Sequence, residues 1–320
     1  MQRRFALQAV AATCATPLLA PTRAQGNLLR VVVPYAPGGS SDRAARIVAE
    51  KLGPRLGRTV VVENKPGAGG RVALQQLKGT RAGQDALVIA NPATIVVAPL
   101  VFKDQTGYDP HKDFQPIAQV TEYEFGIAVS DAVPVKELSQ LLEWLQAHPT
   151  QANFGVPATG SLPHFFALMT AEAAKVRAEV VGYKGSGPLL TDLIGGQVPA
   201  AVDTLDTMLT QHDAGKLRIL ASSGTKRSPF APKVPTCKEA GLDLAATGWN
   251  AFFAPASMPA QRAQQLSSAI RDVMRDEDTR TKLRDTMVDP VARDAAETTA
   301  MLQAFRAQWE PVVQRSGYQP

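Results

Sequence analysis

Near the start of this chain an apolar run, a tight glycine bend and an amphipathic helix pattern follow one another without a gap. Residues 29–35 read LRVVVPY, a β-branched run that suits a strand buried on both faces of a parallel sheet. APGGSSD follows, and then RAARIVAEKLG, in which Ala44, Ile47, Val48 and Leu52 share one helical face. Ser40 or Ser41 is placed to cap that helix, and Asp42 lies in its first turn near the positive dipole end. As a dipole contact Asp42 is worth about 1 kcal/mol or less. Gly53 is a plausible stop.

The same alternation continues. TVVVENK reads as a second strand, PGAGG as a turn, residues 71–78 as a helix and DALVIAN as a third strand. This β-α-β-α-β order predicts a parallel sheet covered by helices. The pattern restarts past residue 120. FGIAVS, ANFGV, AEVVGY, VPAAVDT and KLRILASSG read as strands, interleaved with helices at VKELSQLLEWLQAHP, HFFALMTAEAA and GPLLTDLIGG. After the strand GWNAFFAP come helices at about 258–275, 278–287 and 295–313, the last with Leu302, Phe305, Trp309 and Val312 on one face. A chain of 320 residues suits two domains. No Gly/Ser/Pro linker divides the halves, so crossover strands are the expected hinge, with the C-terminal helices returning to the first half.

Residues 1–24 read as a secretory signal peptide: Arg3 and Arg4, a largely apolar stretch over 5–20, and Thr22-Arg23-Ala24 ending in a small residue. Ordinary Sec export fits better than the twin-arginine route, and the expected location is the periplasm. The chain has 34 basic and 29 acidic residues, and three arginines leave with the leader, so 31 bases face 29 acids. No basic stripe calls for a nucleic acid. Cys14 falls in the leader, which leaves Cys237 alone and no intrachain disulfide.

Chemistry concentrates at strand–helix turns. In PYAPGGSSD, residues 34–42, two glycines bend the backbone beside a helix start, which aims amide N–H groups at one point and makes an anion site without lysine. VPATGSLPH, residues 156–164, and GYKGSG, residues 182–187, are further loops of that kind, and together they suit a ligand with carboxylates at both ends. No Gly-Lys-Ser/Thr follows the first glycines, and PGAGG lacks the dinucleotide spacing, so no nucleotide or other cofactor is expected. His111, His148, His164 and His212 are scattered without metal spacing. Ser161 and His164 lie three apart without a G-x-S-x-G elbow, which makes a hydrolase the weakest of the readings. Cys237 reads as a buried thiol, and Trp249 and Tyr183 suit either a pocket wall or the core.

The pieces VVVPYAPGGSSDRAARIVAEKLGPRLGRTVVVENKPGAGG, YDPHKDFQPIAQV, GYKGSGPLLTDLIGGQVPAAVD, GKLRILASSGTKRSPFAPKVPTCKEAGL and FFAPASMPA resemble the Bug group, the receptors of tripartite tricarboxylate transporters. The resemblance covers nearly all of the chain after the leader. It implies an α/β, two-lobe periplasmic-binding-protein-like (Venus flytrap) fold, each lobe a mainly parallel sheet flanked by helices. Lobe one is then 25–124 and 249–320, and lobe two 125–248. It implies no catalysis, a small di- or tricarboxylate or aromatic carboxylate as ligand, membrane permease subunits as partners, and a monomer. A sensor kinase as partner is the alternative that residues alone do not separate.

The family's ligand loops carry over to Tyr35, Pro37, Gly38, Gly39, Ser40, Ser41 and Asp42, and to Ala158, Thr159, Gly160, Ser161 and His164. Its further pocket positions carry over to Asn91, Ala93 and Thr94, to Tyr183, Gly185 and Ser186, and to Asp203. The expected docking is on the Gly38 and Gly39 amides and the Ser40 and Ser41 hydroxyls. Two loops depart from the family pattern. Asn91-Pro92-Ala93-Thr94 stands where relatives commonly read Ser/Thr-x-Gly-Thr, and 155–161 reads GVPATGS where they commonly read Gly-Ser-x-Gly-x-Gly-Ser. Each proline removes an amide donor beside the pocket.

Overall fold

The computed structural model describes residues 28–80 and 85–319, so the expected leader at 1–24 lies outside the described residues. The first sheet is built on β1 (Leu28–Val33), which pairs in parallel with β2 (Thr59–Asn64) on one side and β3 (Ala86–Ala90) on the other. Helices α1 (Ser40–Leu56) and α2 (Arg71–Lys78) make the two crossovers. Successive side chains of a strand point to opposite faces. Accordingly Leu29, Val31 and Val33 are buried with Val48 and Leu52 of α1, while Val32 is buried with Leu74 of α2 on the other face. That is why the strand is apolar on both faces rather than alternately, with Arg30, paired to Glu63, as its one polar residue.

Strand β4 (Phe114–Val129) spans both sheets. Its first part pairs antiparallel with β9 (Thr247–Pro255), which itself pairs with β3, and β10 (Asp289–Arg293) pairs with β4 there. Its last residues, from Phe125 on, pair with β7 (Ala200–Thr204) and β8 (Arg218–Ser222). The second sheet is completed by β5 (Asn153–Val156), parallel to both β6 (Glu179–Gly182) and β7.

Helices α3 (Ala98–Phe102), α4 (Leu138–Ala147), α5 (Leu162–Ala173), α6 (Ser186–Ile194) and α7 (Leu205–Asp213) occupy the middle of the chain. The last part carries α8 (Ala260–Arg275), α9 (Glu277–Arg284) and α10 (Ala295–Arg315). α10 starts with a capping box between Asp294 and Glu297. It lays Trp309 against Phe125 of β4, with centroids 6.3 Å apart, and Phe125 in turn meets Phe166 of α5 at 5.4 Å. One aromatic cluster therefore ties the C-terminal helix to the strand shared by the two sheets.

Several local expectations change. The residue capping α1 is Gly39, with no side-chain cap bond, so neither Ser40 nor Ser41 caps the helix. The helix also runs past Gly53 to a left-handed Gly57 at φ 62°. FGIAVS is only the end of β4, whose earlier half was obscured by Pro116 and by polar residues. The helical segment after β3, α7 and β10 were not foreseen, because none carries a strong period of its own. Cys237 is buried as expected, its thiol pushed up to about 12 by burial, and Trp249 belongs to the core at 1% exposure. Among the described residues no His/Cys/Asp/Glu cluster has the makings of a metal site, and no helix is long and apolar enough to cross a membrane.

Candidate functional site

Two adjoining cavities, of about 230 and 400 Å³, share Tyr35 and Asn91 in their walls. The smaller lies against the head of α1, at Gly39, Ser40 and Ser41, and is closed by Tyr123 of β4, Thr204, Asp206 of α7 and Asn250 of β9. The larger runs from Arg71 and the 97–102 segment to Ala158–Ser161 and Tyr318.

The bend after β1 is held from within. Gly38 has φ +89°, which favours glycine, and its amide donates to Asp42 Oδ2 at 2.8 Å. Asn64 Nδ2 donates to Asp42 Oδ1 at 2.8 Å, and Arg46 Nη2 pairs with that oxygen at 3.0 Å. Burial alone would raise the Asp42 carboxyl, but Arg46 and the Gly38 and Asn64 amides outweigh it and hold the group below its ordinary value. The expected role of the Gly38 amide in docking is thus corrected: its N–H is already given to Asp42. The amides of Gly39, Ser40 and Ser41 have no acceptor among the described residues, as the first turn of a helix requires. All three residues line the smaller cavity. The Ser41 hydroxyl donates to Asn250 Oδ1 at 2.6 Å, so of the two serine hydroxyls that of Ser40 is the less committed.

The other predicted residues divide clearly. Tyr35 donates from its hydroxyl to Asn91 Oδ1 at 2.7 Å, which also accepts the Ala93 amide at 3.1 Å. Both Asn91 and Ala93 line the larger cavity, whereas Thr94 is fully buried and holds its backbone carbonyl toward the Tyr108 hydroxyl at 2.5 Å. Pro92 opens the helical turn after β3, where an amide has no intrahelical partner to lose. Ala158, Thr159, Gly160 and Ser161 all line the larger cavity. Ser161 caps α5, and its hydroxyl donates to the Ala158 carbonyl at 2.7 Å. His164 Nδ1 accepts the Gly160 amide at 2.7 Å, and burial keeps the imidazole below its ordinary value. The serine hydroxyl and the imidazole are thus each engaged with backbone, and no Ser–His dyad forms.

Gly38, Asp42, Thr94 and His164 therefore support the cavity walls rather than line them, and Pro37 lines neither cavity. Tyr183, Gly185, Ser186 and Asp203 line neither of these two cavities. The Gly185 amide donates to the Pro157 carbonyl at 2.8 Å, so that turn buttresses the 158–161 loop from behind. Asp203 is 1% exposed and accepts the Thr204 amide at 2.7 Å, and burial pushes its carboxyl up to about 6.

Tyr123, Asn250, Thr204 and Asp206 were missed, because they come from β4, β9 and the β7–α7 junction and carry no loop motif. Burial raises Asp206, and Arg43 of α1 offsets this from 3.6 Å away. Tyr318 was missed too. Its ring lies 5.2 Å from that of His164, and a Cβ on Gly160, at φ +73°, would come within 2.8 Å of it.

A two-sheet α/β chain with a cleft between strand–helix loops is the architecture of periplasmic binding proteins. The chain matches the model of the tripartite tricarboxylate transporter family receptor over residues 44–318, and it belongs to that family. It is 31% identical over 292 residues to a UPF0065 protein of Bordetella bronchiseptica, covering 91% of this chain and 86% of that one. Among solved structures it is similar to an R. palustris protein with adipate, with TM-score 0.81, 28% identity and 92% and 98% of the two chains covered. It is likewise similar to MatC of Rhodopseudomonas palustris with bound malate, with TM-score 0.76, 29% identity, and 89% and 98% covered.

Proposed function

We propose that this chain is an exported, periplasmic receptor that captures a small carboxylate for a tripartite tricarboxylate-type permease, without catalysis. The observation that carries the reading is the set of acceptor-free amides at Gly39, Ser40 and Ser41 on the wall of the smaller cavity. A helix N-terminus with free N–H groups attracts an anion, and charge-assisted bonds there are roughly twice as strong as neutral ones. The bound adipate and malate of the two similar structures point the same way.

The lobes run over 25–124 with 249–320 and over 125–248, and β4 and β9 cross between them. Walls from both sides border the smaller cavity, Gly39 to Ser41 on one and Thr204 and Asp206 on the other. A ligand touching both shifts the hinge toward closure by its extra affinity for the closed state. The closed surface is what a permease subunit reads, and a monomer suits that role.

A thermal-shift and calorimetric screen of mono-, di- and tricarboxylates tests this, since a ligand bound only by the native state raises the melting temperature. Saturable binding of at least one carboxylate is the expected result. A folded protein indifferent to all of them refutes it.

A further inference from the structure

The larger cavity has one permanent charge in its wall. Arg71 opens α2, and its guanidinium carbon stands 3.5 Å from the centroid of the Phe102 ring. That stacking holds the planar group in place while leaving its N–H donors unused. Other arginines are engaged: Arg30 of β1 with Glu63 at 2.9 Å, Arg262 of α8 with Asp85 at 2.9 Å, and Arg293 of β10 with Glu122. Arg71 has no acidic partner and no hydrogen bond among the described residues.

No acid lines this cavity. Its walls are apolar along Val97, Ala98, Val101 and Phe102, with the small polar loop Thr159–Ser161 opposite. The adjoining cavity has Asp206 in its wall, paired with Arg43, beside the free amides of α1. Side by side, with Tyr35 and Asn91 in the wall they share, the two cavities therefore offer backbone donors in one and an apolar stretch with an uncompensated guanidinium in the other.

We propose that Arg71 is a specificity-determining residue that binds the second anionic group of the ligand. This rests on the reading of the Gly39–Ser41 amides as the first carboxylate site. The planar fork of arginine matches a carboxylate in two parallel bonds, which lysine does not reproduce.

The test is calorimetry on the full-length mature protein with straight-chain α,ω-diacids and the monoacids of the same carbon count, adipate against hexanoate among them. The wild type is expected to prefer the diacid of its best-fitting length. Arg71→Gln is expected to weaken that diacid roughly 10- to 100-fold while changing the monoacid less than about threefold. Arg71→Lys should recover part of the loss, and the salt dependence of diacid binding should fall in Arg71→Gln. Equal loss for both acids, or a wild type without preference for the diacid, overturns the assignment and leaves the carboxylate site standing. A wild type that binds neither series at any length overturns the carboxylate reading and this inference together. Unchanged melting of the Arg71 variants shows that the losses are not unfolding.

Discussion

The Asp42 carboxylate accepts the Gly38 amide at 2.8 Å, so an acid in the first turn of α1, four residues past Gly38, holds the bend that exposes the amides of Gly39, Ser40 and Ser41. Asp42 is therefore more than a helix-dipole contact. Its side chain is 4% exposed and also engages Arg46 and Asn64.

Removing it leaves the Gly38 and Asn64 donors without an acceptor. Asp42→Ala is expected to cost about 2–3 kcal/mol, above the dipole scale, and Asp42→Asn less. The folded-state carboxyl lies below its ordinary value, so its stabilisation is present above the ordinary carboxylate range and fades as pH falls through the lowered value. Chemical denaturation of the variants at pH 7 and pH 3 checks both points: the gap between wild type and Asp42→Ala should narrow in acid.

Gly39→Val is expected to abolish carboxylate binding with little change in melting. Gly39 has φ −72° and ψ 169°, which any residue adopts, and a Cβ there meets only the Ala36 carbonyl oxygen at 4.0 Å. The branched side chain then stands at the cavity wall beside the amides. Calorimetry with a ligand from the screen decides it, and retained affinity places the ligand elsewhere. Gly38→Val is no substitute probe, because φ +89° strains any β-branched residue.

Asp206→Asn is expected to raise the affinity for simple carboxylates a few-fold, because a like charge leaves the smaller cavity and Arg43 loses its partner. Arg43 is 39% exposed and solvent screens the pair, so the stability change should stay within about 1 kcal/mol. A ligand with an ammonium beside its carboxylate would show the reverse, a loss of affinity. Affinities of paired acids and amino acids for the variant separate the two.

Glu124 lies in β4 just before that strand turns to the second sheet, and burial pushes its carboxyl up to about 7, with Asp289 and Glu122 adding to the effect. A raised acid favours the folded state while protonated. Its contribution is complete below the ordinary glutamate value and is lost as pH rises through about 7. Glu124→Gln should therefore stabilise the protein at pH 8, on the order of 2 kcal/mol, and flatten the stability profile between about pH 4.5 and 7. Urea titrations across that range measure it, and an unchanged profile would remove Glu124 as the responsible group.

Much of the architecture was legible because it is written in local periods. The apolar run Val31–Val33 of β1 records burial on both faces, and the i, i+3, i+4 spacing of α1 and α10 records one face each. The two ligand-loop motifs were legible for the same reason, since a glycine bend before a helix start exposes amides by local geometry alone. The glycine loops themselves pointed to carboxylates; the family resemblance added the lobe bounds and Asp203, which, like Tyr183, Gly185 and Ser186, lines neither of the two cavities.

By itself the sequence determined most of the strands and helices and the position of the amide-rich bend, because each depends on neighbours a few residues apart. Only the tertiary structure decided which donors stay free and what faces them. Asp42 takes the Gly38 amide by a short-range bond, yet Ser41 loses its hydroxyl to Asn250 from 209 residues away. Asp206, Arg71 and Tyr318 reach the two cavities by long-range packing, from α7, α2 and the segment after α10. Hydrogen-bond competition and charge pairing act through space, and no spacing along the chain encodes them.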